Sequence, residues 1–162
     1  MDKVFLSLGS NLGDRGAHIA SGIERLKKIP GMTMISVSPV YETQPAEGAG
    51  GGPFYNCAAE CRFDGTSHEL LERLEEIERL EGRASKGDYM ARPLDIDIIF
   101  FGGAIVKESR LTIPHPRLYG RRFVLIPLND LDPGFRCPVT GKTIRELLAE
   151  THDTSDIFRI DT

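Results

Sequence analysis

The chain has 162 residues, 24 acidic and 20 basic, for a formal net charge of −4. That length suits one folded domain over residues 1–162, and the acidic balance argues against nucleic acid as a partner. No stretch has the apolar length of a membrane span or the build of a signal peptide, and the odd set Cys57, Cys61 and Cys137 points to free thiols in a reducing, cytoplasmic setting.

Lys3–Leu8 predicts a short apolar strand. Gly9-Ser10-Asn11-Leu12-Gly13-Asp14 follows. It lacks the Gly-Lys-Ser/Thr ending of a phosphate loop and is read as a tight turn into a helix with Asp14 as N-cap. That helix carries Ile19, Ile23 and Leu26 on one face and stops at Pro30-Gly31. Met32–Tyr41 predicts a second strand. The glycine-rich run that follows, through Pro53, is either a plain connector or a flap beside a ligand, and both readings stand at this point. Phe54–Phe63 predicts a third strand, with Asn56 near its start.

Thr66 and Glu69 form a capping-box pattern. The helix behind them spaces Leu70, Leu71, Leu74, Ile77 and Leu80 at helical period and closes at Gly82. Glu75 and Glu78 read as a solvated face, or Glu78 as a group that holds a basic loop or a ligand. An irregular basic segment, 83–91, leads into Arg92-Pro93-Leu94-Asp95-Ile96-Asp97-Ile98-Ile99-Phe100-Phe101, whose composition is that of a buried strand. Alternation sends Asp95 and Asp97 to one face and Leu94, Ile96 and Ile98 to the other, with the two aspartate Cα atoms about 6.5 Å apart at strand rise. Two anions so placed repel and resist desolvation. Arginine partners or solvent would relieve them, and so would Mg²⁺, which takes one or two carboxylates and completes its shell with water and phosphate oxygens.

Ile105–Val106 and Leu111–Ile113 predict a small hairpin. Behind it, His115 stands between Pro114 and Pro116 with Arg117, Arg121 and Arg122 close after it, a cluster suited to a phosphate anion. Thr143 and Glu146 cap a last short helix, and 153–162 is expected to be a loosely held tail. The order β-α-β-β-α-β predicts an α+β, ferredoxin-like fold, an antiparallel sheet with helices on one face, followed by a C-terminal extension.

Leu8–Asp14, Tyr41-Glu42-Thr43, Phe54-Tyr55-Asn56, Arg92–Ile98 and Ile113–Leu118 with Arg121–Leu125 together resemble the 6-hydroxymethyl-7,8-dihydropterin pyrophosphokinases of folate synthesis. The likeness runs over nearly the whole chain. It implies transfer of the terminal diphosphate of ATP to the pterin hydroxymethyl group, with two Mg²⁺ ions held by Asp95 and Asp97. It implies nucleotide contacts for Glu78, Arg92, Ile98, Arg110, Thr112, His115 and Arg121, with His115, Arg92 and Arg121 also serving the reaction. Phe54 and Phe123 match aromatics that sandwich the flat pterin, Asn56 a residue pairing with its polar edge, and Thr43, Gln44, Pro45 and Ala46 the loop that completes the pocket. The partners implied are small molecules, ATP and the hydroxymethyldihydropterin, and a monomer is expected.

The chain departs from the pattern at 85–91, where the usual Trp-containing run is shortened and Tyr89 is the nearest aromatic. Two other classes remain open. A different two-metal nucleotide enzyme explains the aspartates but not Phe54, Phe123 and Asn56. A non-catalytic binding domain explains the fold but leaves the carboxylates and the His-Arg cluster idle.

Overall fold

β1, Asp2–Ser10, is buried from Val4 onward on both faces, as a central strand must be. Antiparallel neighbours flank it: β4 (Phe54–Phe63) on one side and β5 (Asp95–Phe101) on the other. The computed structural model describes residues 2–44, 52–82 and 93–160. Pro45, Ala46, Arg92 and the segment around Tyr89 lie outside the described residues, and with them the sequence expectations placed there.

The sheet order is β5-β1-β4-β3-β8, with β2 also on β4. Here β2 is Met32–Val37, β3 is Val40–Thr43 and β8 is Ile157–Ile160. With α1 (Arg15–Lys27) between β1 and β2 and α2 (Ser67–Leu80) between β4 and β5, this is the ferredoxin-like arrangement. Alternation turns Val4, Leu6 and Leu8, with Cys57, Ala59, Cys61, Ile96 and Ile98, toward one face. There they meet Ile19 and Leu26 of α1 and Leu70, Leu74 and Ile77 of α2 in one core. Each such aliphatic side chain contributes about 1.5–3 kcal/mol by leaving water. Burial pushes the Cys57 and Cys61 thiols up to about 12, so they pack as small apolar groups and carry little thiolate at neutral pH.

The caps follow the sequence. Asp14 accepts from Ala17 N at 3.1 Å, Thr66 and Glu69 cap α2 reciprocally, and Gly82 closes α2 at φ +104, a conformation that favours glycine. The expected hairpin is β6 (Val106–Lys107) against β7 (Thr112–Ile113).

Three details differ from expectation. Met32–Tyr41 is two strands, because Pro39 has no N–H to give the ladder. Ser38 takes over instead, donating its N–H to Ala58 O at 2.9 Å and accepting Ala58 N on its hydroxyl at 2.8 Å. The segment after Arg121, for which the sequence predicts no element, is a helix, α3 (Arg122–Leu131), despite Pro127 inside it. With α4 (Ile144–Glu150) it covers the other sheet face, where Phe5, Ala58, Ile99 and Phe100 meet Leu125, Leu128, Ile144 and Leu147. The tail is not loose: β8 pairs with β3 from Val40↔Ile160 to Thr43↔Ile157.

Candidate active site

The register places the chemistry. Gly9 lies opposite Asp95 on one side and Asn56 on the other, and Asn56 lies opposite Tyr41. Two residues back along β1, Ser7 lies between Asp97 and Ala58. Directly opposed residues share a face, so Asp95, Asp97 and Asn56 look out on the side where α3 lies. Two strand spacings, about 10 Å, separate the Asp95 and Asn56 backbones. Gly9 has no side chain to fill that span. A methyl there would lie 3.6 Å from Phe54 Cδ1 as well as against the Asn56 amide.

Asn56 and Thr43 are both buried, and Asn56 Nδ2 donates to Thr43 Oγ1 at 2.9 Å. Phe54 begins β4 and is half-buried; Gln44, after Thr43, is exposed. Phe123 sits half-buried in the first turn of α3, with the Arg121 guanidinium 5.4 Å from its ring centroid. Arg15, the first residue of α1, ties the two roots of the glycine-rich segment together. Its Nη1 lies 2.9 Å from Glu42 and donates to Pro53 O at 2.8 Å, while its guanidinium lies 3.9 Å over the Tyr55 ring.

On the other side of the aspartates is a cavity of about 180 Å³, lined among others by Leu71, Asp97, Ile98, Arg110, Thr112 and His115. Five residues assigned to nucleotide or metal thus meet at one hollow with apolar and polar walls. The His115 backbone N–H donates to Ile99 O at 3.0 Å, and its Nδ1 accepts from Arg117 N at 3.2 Å. The neutral ring therefore carries its proton on Nε2, which lies 4.0 Å from Asp97 Oδ2. Arg110 reaches over the rim to Glu75 at 2.6 Å. Glu78 is not on a solvated face: it is 2% exposed and accepts from Ile96 N at 2.9 Å. That bond fixes the edge strand at the residue between the two aspartates.

Four groups beyond the sequence reading shape this frame: Gly9, Arg15, Glu81 and Asp153. Glu81, at the end of α2, accepts from His18 Nδ1 at 2.9 Å, Ser21 Oγ at 2.8 Å and Arg25 Nε at 2.9 Å. It locks α2 to α1 just before residue 83. Burial raises its carboxyl, but the bonds from His18, Ser21 and Arg25 outweigh that and hold it below the usual carboxylate range. Only Gly9 lies in a stretch the sequence singles out.

Asp95 and Asp97 are both half-buried. Among the described residues no group of three His, Cys, Asp or Glu side chains is placed to hold an ion. Two carboxylates on one strand face, with Asp97 lining the hollow and most of the shell left to phosphate and water oxygens, are a donor set that fits Mg²⁺.

Residues 5–133 match the family described as 7,8-dihydro-6-hydroxymethylpterin-pyrophosphokinase (HPPK). The chain is 36% identical over 161 residues to the 2-amino-4-hydroxy-6-hydroxymethyldihydropteridine pyrophosphokinase of Methylorubrum extorquens, covering 99% of this chain and 100% of that one. It is 36% identical over 157 residues to the Folic acid synthesis protein FOL1 of Dictyostelium discoideum, of whose length it spans 24%. Its fold is similar to the wild-type HPPK-DHPS of Plasmodium falciparum solved with pteroate, with a TM-score of 0.72 at 17% identity over 92% of this chain and 44% of that one.

Proposed function

The chain belongs to the 7,8-dihydro-6-hydroxymethylpterin-pyrophosphokinase family, and we infer that it transfers diphosphate from ATP to the hydroxymethyl group of 6-hydroxymethyl-7,8-dihydropterin in folate synthesis, leaving AMP. The observation that carries this reading is the row Asp95–Gly9–Asn56 across three strands. A pterin held at Asn56 can lie over Gly9 with its hydroxymethyl arm toward the carboxylates.

Each side chain has a task in that arrangement. Asn56 offers donor and acceptor to the polar edge of the pterin, and its bond to Thr43 sets the orientation of its amide. Phe54 and Phe123 stack on the ring faces, and Thr43, Gln44, Pro45 and Ala46 supply loop contacts. Ile98 meets the adenosine, and Arg110 and Thr112 border the nucleotide hollow. The Nε2–H of His115 and the guanidinium groups of Arg92 and Arg121 bind phosphate oxygens. Glu78 holds β5 in register for its aspartates. Two Mg²⁺ ions on Asp95 and Asp97 would neutralise charge on the triphosphate and on the developing leaving oxygen. The protein's share of the rate is then positioning: the pterin hydroxyl is held in line with the β-phosphorus while cationic side chains surround the transferred group. We assign the activity to one domain over residues 1–162, acting as a cytoplasmic monomer on small molecules, with neither nucleic acid nor membrane as partner.

The test is calorimetry on Phe123→Ala with a non-hydrolysable ATP analogue bound. Loss of one stacking face is worth about 0.5–1.5 kcal/mol beyond lost area, so pterin affinity should fall while nucleotide affinity barely moves. A variant that loses nucleotide affinity alone would show the two pockets to be reversed.

A further inference from the structure

The family match ends at residue 133, yet the chain beyond it reaches the frame of the site twice. β8 extends the sheet on the outer edge of β3, with Ile157 opposite Thr43, the residue that orients Asn56. Just before β8, Asp153 Oδ2 accepts the backbone N–H of Arg122 at 2.9 Å. Its Oδ1 accepts the Ser155 N–H at 2.9 Å and the Ser155 hydroxyl. Arg122 Nη1 returns to Ser155 O at 2.7 Å.

These bonds answer a defect in α3. The first N–H groups of a helix need acceptors, and the N-cap of α3 is Arg121, which gives no side-chain cap bond. Two consecutive arginines, 121 and 122, also place positive charge at the positive end of the helix. Asp153 brings an acceptor and a negative charge to that point from 31 residues away. Burial raises its carboxyl, and the bonds from Ser155 and Arg122, with the Arg122 charge, outweigh it and hold it below the usual carboxylate range. Arg122 is flanked by Arg121 and Phe123, so the direction in which α3 starts decides where both side chains point.

We propose that Asp153 is a positioning residue for the reaction: by capping α3 from the C-terminal segment it aims Phe123 at the pterin and Arg121 at the phosphates. This rests on the roles proposed above for Phe123 and Arg121. It gives the segment beyond the family match a part in substrate binding, not only in covering the sheet.

The experiment is steady-state kinetics on the full chain with Mg²⁺, ATP and varied pterin, at a temperature where circular dichroism shows each variant folded. Asp153→Ala should raise the KM for pterin about tenfold. Asp153→Asn keeps one acceptor for Arg122 N but loses the charge and the Ser155 bonds, and should fall between, at about threefold. A cap that served stability alone would lower Tm in both variants and leave the pterin KM at the parent value, and that result overturns the proposal. Should Asp153→Ala not fold, Asp153→Asn decides the matter: a raised KM supports the proposal and a parent KM overturns it. Phe123→Ala separates the two layers. If it weakens pterin binding and the Asp153 variants do not, only the positioning role falls; if it has no effect, the site assignment itself has failed.

Discussion

A methyl group placed on Gly9 would lie 2.9 Å from Oδ1 of Asn56. In the proposed pterin pocket the glycine would contribute space and no polar group: a side chain there would meet the Asn56 amide and the Phe54 ring. Gly9→Ala should fold, since β1 is extended there and no positive φ is required. It should push the Asn56 amide and the Phe54 ring outward. Overpacking of this kind costs about 1–3 kcal/mol. If that cost falls on the bound state, pterin affinity should drop by roughly five- to 150-fold. Calorimetry showing parent affinity would mean that Asn56 does not set the pocket floor.

Much of this frame is legible in the sequence, for physical reasons. The strand 54–63 is where its composition places it, and alternation in the aspartate strand sets which side chains face the core: Leu94, Ile96 and Ile98 are buried as expected. The capping boxes at Thr66 and Thr143 give the starts of α2 and α4. What escapes is long-range or masked by a local signal. Pro127 hides α3, whose stability comes from burying Val124, Leu125 and Leu128. The polar run before Ile157 reads as tail, because its acceptor, Asp153, serves a helix 31 residues earlier. Asn56 is legible as a candidate, but the buried bond that orients it joins two strands. Helical spacing leaves Glu78 either solvated or holding a basic loop or a ligand, and does not show that it accepts from Ile96 N of β5.

Asp97 should matter to rate and little to stability. Its side chain is 27% exposed and faces the hollow, so Asp97→Ala should keep a native circular dichroism spectrum. Loss of one metal ligand removes several kcal/mol of charge stabilisation, and at 1.36 kcal/mol per tenfold activity should fall by roughly 10³. Asp95→Ala should behave alike. Activity within tenfold of the parent at saturating Mg²⁺ would remove the metal assignment.

Arg15 should act on pterin and not on nucleotide. It joins Glu42 to Pro53 across the glycine-rich segment and lies over Tyr55. Arg15→Lys keeps the charge but not the planar fork, and should recover little of what Arg15→Ala loses. Both should raise the KM for pterin about tenfold, an effect of about 1.4 kcal/mol, with the KM for ATP within twofold. Equal rises in both constants would instead indicate general loosening.

Glu81 predicts a pH dependence of stability. Its folded pKa is lowered, so its contribution is fully present above the unfolded value of 4.5 and is lost as pH falls through the lower folded value. Glu81→Gln should therefore be less stable than the parent at pH 7, by about 1–3 kcal/mol for hydrogen bonds to a charged group. That corresponds to about 2–4 °C in Tm for each kcal/mol. The gap should hold down to about pH 5 and close below pH 4.5. A Tm difference that grows as pH falls would contradict the assignment.

The central claim is that pterin and triphosphate meet over Gly9 so that the β-phosphorus, not the γ- or α-phosphorus, is attacked. The most direct measurement is the stoichiometry of products from ATP and 6-hydroxymethyl-7,8-dihydropterin with Mg²⁺, followed by ³¹P NMR. The account predicts one AMP for each pterin consumed and a diphosphate on the pterin hydroxymethyl oxygen, with both products absent from Asp97→Ala on the same timescale. ADP with a pterin monophosphate, or cyclic AMP with free pyrophosphate and unaltered pterin, would contradict it.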